Sequence, residues 1–373
     1  MKTKIISILA LVGLMFNANA ESPVWGTYKV ECPANSDTYI GITTTRAPVF
    51  TGKVQSVQNG TTNIVAQGEP NWSANQFVYV AGSQTDHYYL KFTSGELEGA
   101  WYDIKSNSTS DVEIEIGSAE LAKIGVNDTF EIIPHWTLAT LFPNGGGFTK
   151  STGRSQLSGA SLVYKYTSYD HSNGLLIPIG TNKAYMKLYY YRGTATDIGW
   201  RCSSETGVLD ATNDVVEPNS FFCVHQPENA SAGVSFNGVI PMCATTIEAF
   251  LTKDESGKFV DQDVYIVSPS ATDISLSDLT TALIDGNVLK ASGRAVAEYM
   301  YIYSNDATAK NRAASKLLFY RSNQGWKKAT ESGTVDADND MIKAGSILLI
   351  AKKSQNAEVT IRSNFQPKYT TNN

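Results

Sequence analysis

Histidine is scarce in this chain: four residues in 373, at positions 87, 135, 171 and 225. None stands at HxH or HExxH spacing and no CxxC pair accompanies them, so zinc ligation by neighbouring His and Cys has no support. A GxSxG elbow is missing, and Gly145-Gly146-Gly147 is followed by no lysine and helix arranged as a phosphate loop. Serine-nucleophile and nucleotide chemistry therefore lack a signature. Charge is thin as well, at 18% Asp, Glu, Lys and Arg with a formal net charge of −6. A negative chain is a poor match for nucleic acid, which selects a basic face. After the first twenty residues no run approaches the ~20 apolar residues of a membrane helix.

What the chain does have begins at its start. Lys2 and Lys4 precede an apolar stretch from Ile5 to Phe16, and Ala18-Asn19-Ala20 offers a small-x-small cleavage site before Glu21. Residues 1–20 read as a secretory signal peptide cleaved after Ala20, leaving a chain not anchored by a spanning segment. Loss of two lysines takes the net charge from −6 to −8. Four cysteines remain, Cys32, Cys202, Cys223 and Cys243. In an oxidising compartment an even count permits two disulfides in three connectivities. Cys202–Cys223 is the pairing expected, with buried thiols as the alternative.

One stretch occurs twice. NKAYMKLYYYR, GW and TGVLDATND run from Asn182 towards Pro241, and NRAASKLLFYR, GW and SGTVDADND run from Asn311 towards Pro367. Trp200 and Trp326 lie 126 positions apart, and that offset also carries Asp210 onto Asp336, Asp214 onto Asp340 and Ser220 onto Ser346. Repetition of this kind means copies of one supersecondary unit.

Nineteen tyrosines and six tryptophans suit half-buried strands, where a ring packs and its polar tip stays wet. Short strands are expected at 25–30, 39–43, 50–57, 76–81, 87–92, 110–116, 161–166, 175–179, 185–192 and 264–267. Asn59-Gly60 is the strongest hairpin signal. Ser110–Ile116 alternates strictly, with Val112, Ile114 and Ile116 on one face and Asp111, Glu113 and Glu115 on the other. Two short helices are expected, one capped by Ser118 and one over 275–284 with a capping box between Ser275 and Asp278. The class is mainly β: tandem sandwich- or barrel-like modules with an internal repeat. Pro143–Phe148 is the glycine-rich boundary candidate. The expected domains are 21–145, a divergent repeat copy, then 146–243 and 244–373.

Ser36-Asp37-Thr38, Arg46, Phe50-Thr51-Gly52, Glu98-Gly99-Ala100-Trp101 and the run from Pro134 through His135 and Trp136 to Pro143 together resemble a family of exported β-rich proteins, as yet uncharacterised, known chiefly from verrucomicrobial and related bacteria. Gly199-Trp200 with Asn213-Asp214 resembles its repeated element, so the likeness covers most of the chain. It implies export and a β-rich build, and it transfers no catalytic residue.

Two constellations are candidates for chemistry. Asp336, Asp338 and Asp340, matched by Asp210 and Asp214, present alternating oxygens in a tight loop, the arrangement a hard cation such as calcium uses. The competing reading is a turn, where aspartate bonds its own backbone. Tyr191, Arg192 and Trp200, repeated as Tyr320, Arg321 and Trp326, form a set that stacks on sugar rings if exposed, or core rings with snorkelling arginines if not. The leading expectation is a non-enzymatic structural or interaction protein of the cell envelope or extracellular space, with envelope proteins as partners. An exported carbohydrate-binding array is the alternative. A glycan-active hydrolase stands third, because paired carboxylates brought together by a β fold leave no local signature.

Overall fold

The computed structural model describes residues 23–58, 60–166, 169–170, 177–178, 186–203, 209–251, 263–310, 313–352, 359–367 and 369. The expected signal peptide, Asn59 of the hairpin turn, 182–185 and 206–208 of the first repeat, and Asn311 of the second lie outside the described residues.

Strand follows strand along the chain. β1 (Trp25–Cys32) and β2 (Asp37–Gly41) come first. Then come β3 (Phe50–Val57), β4 (Asn63–Ala66), β5 (Tyr88–Phe92), β6 (Trp101–Asn107), β7 (Asp111–Ile114) and β8 (Thr129–Pro134). The next group is β9 (Trp136–Thr137), β10 (Leu162–Tyr166), β11 (Tyr169–Asp170), β12 (Ile177–Pro178), β13 (Met186–Gly193), β14 (Ile198–Cys202), β15 (Val215–Val216), β16 (Phe221–His225) and β17 (Ala232–Val239). The last is β18 (Thr245–Leu251), β19 (Asp263–Val267), β20 (Ile274–Ser275), β21 (Tyr299–Tyr303), β22 (Lys316–Arg321), β23 (Gly325–Lys328), β24 (Met341–Ile342), β25 (Ile347–Ala351) and β26 (Val359–Phe365).

The repeat is complete in three dimensions. In the second copy β18 pairs with β26, β20 with β24, and a five-stranded sheet runs β19-β25-β21-β22-β23. In the first copy β1 pairs with β17, β9 with β15, and the sheet runs β14-β13-β10-β16-β2. Read from its other edge this is the same order, strand for strand. Registers coincide too: Tyr191 opposes Trp200 as Tyr320 opposes Trp326. Each copy closes its own apolar interior, one around Phe142, Trp200 and Phe222 and the other around Leu276, Trp326 and Leu348.

Between β2 and β9 the first copy carries an insertion, a closed barrel ordered β3-β4-β7-β6-β5-β8. Closure leaves none of these six strands as an open edge. Its interior is filled by Phe50, Leu90, Phe92, Val112, Ile114 and Phe130, so the alternation read in Ser110–Ile116 does place Val112 and Ile114 inside. The expected N-terminal domain of 21–145 is thereby corrected. β1 aligns along its whole length with β17, from Trp25 opposite Val239 to Cys32 opposite Ala232, and β2 joins β16. The first two strands belong to the first copy, and the barrel is an insertion within it, not a third repeat.

Three local expectations also change. Pro143–Phe148 is no linker: Gly145 has a φ of 85°, and a Cβ there would meet the Tyr191 ring at 2.6 Å. Glycine is required there by close packing against the first copy's core. Residues 76–81 form turns instead of a strand. Helix Ser118–Leu121 is preceded by Gly117 and has no side-chain cap. By contrast Ser275 and Asp278 do form the capping box, and Leu276, Leu279 and Leu283 are buried.

The two copies meet sheet against sheet. Tyr39, Phe221 and Cys223 on the first pack on Val267, Tyr303, Ile347 and Leu349 on the second. Tyr39 N–H and C=O are both bonded to the Asn305 side-chain amide, at 2.9 and 2.7 Å. A Cβ on Gly41 would come within 2.7 Å of the Gly345 carbonyl oxygen, so the approach is set at backbone distance.

Candidate functional site

The repeated aromatic pair is inside the protein. Trp200 is 1% exposed and Trp326 0%. Each stands edge-on to its tyrosine, Tyr191 at 5.5 Å and Tyr320 at 5.4 Å between ring centroids. Each indole N–H is also satisfied internally, Trp200 donating to the Phe142 carbonyl at 3.4 Å and Trp326 to Thr280 Oγ1 at 3.1 Å. A buried ring with a bonded N–H has no face left for a sugar. Arg192 pairs with Asp197 at 3.0 Å, and Arg321, half-buried, continues the same strand. The sugar-stacking expectation for Tyr191, Arg192, Trp200, Tyr320, Arg321 and Trp326 is corrected accordingly: Tyr191, Trp200 and Trp326 are core residues, Tyr320 packs against the core, and the two arginines lie half-buried beside it.

The five aspartates are turn and anchoring residues. Asp210 accepts from the Thr212 N–H at 2.9 Å, as Asp336 does from the Asp338 N–H at 3.0 Å, the Asx geometry of a turn. Asp338 accepts from the Trp326 N–H at 2.7 Å. Gly325 has a φ of 77°, and a Cβ on it would lie 2.5 Å from that carboxylate, which explains why glycine precedes the tryptophan. Asp214 accepts from the Tyr189 hydroxyl at 2.9 Å, and Asp340 pairs with Lys316 at 3.0 Å. Among the described residues no three His, Cys, Asp or Glu side chains converge as a metal cage. The loop does not fit calcium, because each carboxylate is already held by an N–H, a hydroxyl or an ammonium.

The Cys202–Cys223 bridge is likewise corrected. β13 and β10 lie between β14 and β16, so about 14 Å of sheet separates the two positions at the usual strand spacing, beyond disulfide reach. The two residues also belong to different cores. No disulfide forms, and Cys32 is wholly buried. Burial pushes the Cys32 thiol up to about 12.

Two histidines are held by carboxylates, His135 Nε2 to Asp103 at 2.8 Å and His225 Nδ1 to Asp37 at 2.6 Å. His135 is 2% exposed, with Tyr89 and Trp101 against its ring at 4.5 and 5.8 Å. These pairs orient strands; neither has a nucleophile bonded to the imidazole among the described residues.

What sequence reasoning did not anticipate is the junction of the three bodies. On β5, Leu90 and Phe92 enter the barrel core, so by period-two alternation Tyr89 and Lys91 face outward. The first copy covers them with Thr43–Thr45, and the second approaches with Thr245, Ser268 and Pro269. Between these walls lies a small cavity of about 30 Å³. Glu98 ties the barrel to the second copy, accepting from the Ala244 N–H at 3.0 Å and from the Gln366 amide at 3.2 Å. No motif links these residues: 46 positions separate Thr45 from Lys91 and 177 separate Lys91 from Ser268, and they meet only through topology.

No family model, curated protein or solved structure matches this chain.

Proposed function

We propose that this chain is an exported structural or interaction protein of the cell envelope or extracellular space, acting through its docked modules and not through a reaction centre. The observation that carries the reading is the interior position of Trp200 and Trp326. The residues that the duplication preserves most visibly hold each copy together, and they offer nothing to a ligand. The sheet-to-sheet union of the copies and the barrel seated against both supply a rigid, multi-body object of the kind an interaction scaffold needs. The carbohydrate-binding alternative rested on those same rings and loses its support with their burial. Export rests on the charged, apolar and small-x-small pattern of residues 1–20.

The test has two arms. Fractionation of the native host should place the chain in the envelope or outside the cell, without its first twenty residues. Incubation with insoluble polysaccharides should leave it in the supernatant. Retention on a polysaccharide, or an intact N-terminus in a cytoplasmic fraction, overturns the reading.

A further inference from the structure

The geometry points to a binding site for a small carboxylate monoanion in the junction cavity, with the Lys91 ammonium as its charge partner and the Thr44 and Ser268 hydroxyls as its donors. Lys91 is 7% exposed and, among the described residues, forms no ion pair or hydrogen bond. An ammonium in that position is costly unless something of opposite charge stands beside it. Thr44 Oγ1 and Ser268 Oγ are both buried without a hydrogen-bond partner. A buried hydroxyl left without a partner is costly, so two among the residues that line one cavity with Lys91 indicate a missing acceptor.

The three groups come from different bodies: Thr44 from the first copy, Lys91 from the barrel and Ser268 from the second copy. Among the described residues Lys91 is the one charged residue in the cavity lining, which selects an anion over a cation or a neutral sugar. The space, about 30 Å³, is two to three times the ~10–15 Å³ that one water needs, which limits the ligand to the smallest carboxylates. A carboxylate brings two oxygens with about four lone-pair sites, enough to accept from an ammonium and two hydroxyls together.

The remaining charge nearby is Glu131, which opposes Lys91 across the β5–β8 pair and forms no ion pair with it among the described residues. Burial pushes the Glu131 carboxyl above its ordinary range, and Lys91 pulls the other way. With that acid adjacent, a dianion is disfavoured relative to a monoanion. Bound there, the ligand would join all three bodies at one point.

The experiment uses the full-length chain after leader removal. Its melting temperature is followed while sodium acetate replaces sodium chloride at constant ionic strength and pH 7, with sodium phosphate as a parallel series. Binding to the folded state raises the midpoint by mass action. The expected result is a saturable rise with acetate, a smaller one with phosphate, no acetate response in Lys91→Met, and at least a threefold weaker half-saturation in Ser268→Ala. Ser268→Ala keeps the test open should Lys91→Met not fold. No acetate-specific rise in the wild type, an equal rise in either variant, or a larger response to phosphate overturns the proposal.

Discussion

Lys352 Nζ and Glu298 Oε2 form an ion pair of 2.7 Å in which neither side chain exceeds 2% exposure. The equivalent positions in the other copy are Gln226 and Ser161, joined by a hydrogen bond of 2.7 Å. The surroundings match as well: the Lys290 N–H donates to Glu298 at 2.9 Å, and the Thr149 N–H to Ser161 at 2.8 Å. One fold position is thus solved once with charge and once without it. Lys352 also donates to the Val288 carbonyl at 2.7 Å, which lowers the cost of burying its ammonium.

That equivalence makes a double-mutant prediction. Glu298→Ser alone leaves a buried ammonium without its counter-charge and should cost about 3–5 kcal/mol. Lys352→Gln alone strands the carboxylate and should cost a similar amount. The pair together reproduces the neutral solution of the first copy, so its loss should fall well below the sum, with a coupling of ~1–3 kcal/mol. Urea unfolding of the four chains measures it; additive losses would refute the equivalence.

Trp200→Ala and Trp326→Ala should each destabilise by ~3–5 kcal/mol, the usual cost of emptying a buried aromatic site. Phenylalanine at either position should recover part of that loss, because the lost N–H bond is one term among several. Chemical denaturation reads both effects. A loss under 1 kcal/mol in either alanine variant would mean the ring is not enclosed as described.

The thiols make a mass-spectrometric prediction. Without reductant, alkylation in denaturant should label all four cysteines. In the native protein at pH 8, Cys32 should stay unlabelled, since it is wholly buried and burial raises its thiol to about 12, leaving almost no thiolate. Cys243, half-buried, should react first. A protein that takes up two labels fewer in denaturant carries a disulfide and contradicts the four free thiols.

Asp273 and Asp336 contribute to the acid limb. Burial pushes Asp273 upward, but hydrogen bonds from Lys343 and the Ala344 N–H outweigh it and hold the carboxyl below its ordinary value. The Asp338 N–H is the main cause of the low value at Asp336. A carboxyl depressed by folding adds stability that is present above its unfolded value of about 3.9 and lost as pH falls through the folded value. Stability should therefore decline below about pH 4, and Asp273→Asn should flatten part of that limb. A melting temperature independent of pH between 5 and 2.5 would count against both contacts.

Much of this architecture was legible where the information is local. The glycine-tryptophan pair repeats because the ring fills each core and the glycine before it leaves room for the side chain behind, Asp338 in one copy and Thr212 in the other. Ser275 and Asp278 announced their cap by spacing alone. The barrel insertion was not legible, because its evidence is the pairing of Asp37 with His225 and Trp25 with Val239, contacts about two hundred residues long that leave no trace in periodicity. Gly145 misled for a related reason: a glycine run marks a linker or a close approach, and only the Tyr191 ring decides between them. Thr44, Lys91 and Ser268 share no motif for the same reason.

The most direct test is amide and indole hydrogen exchange by NMR at Trp200 and Trp326 in the full chain, with and without soluble oligosaccharides. Enclosed rings bonded to the Phe142 carbonyl and Thr280 predict indole protons that exchange slowly and do not shift with sugar. Fast exchange, or sugar-dependent shifts confined to these two indoles, would contradict the account.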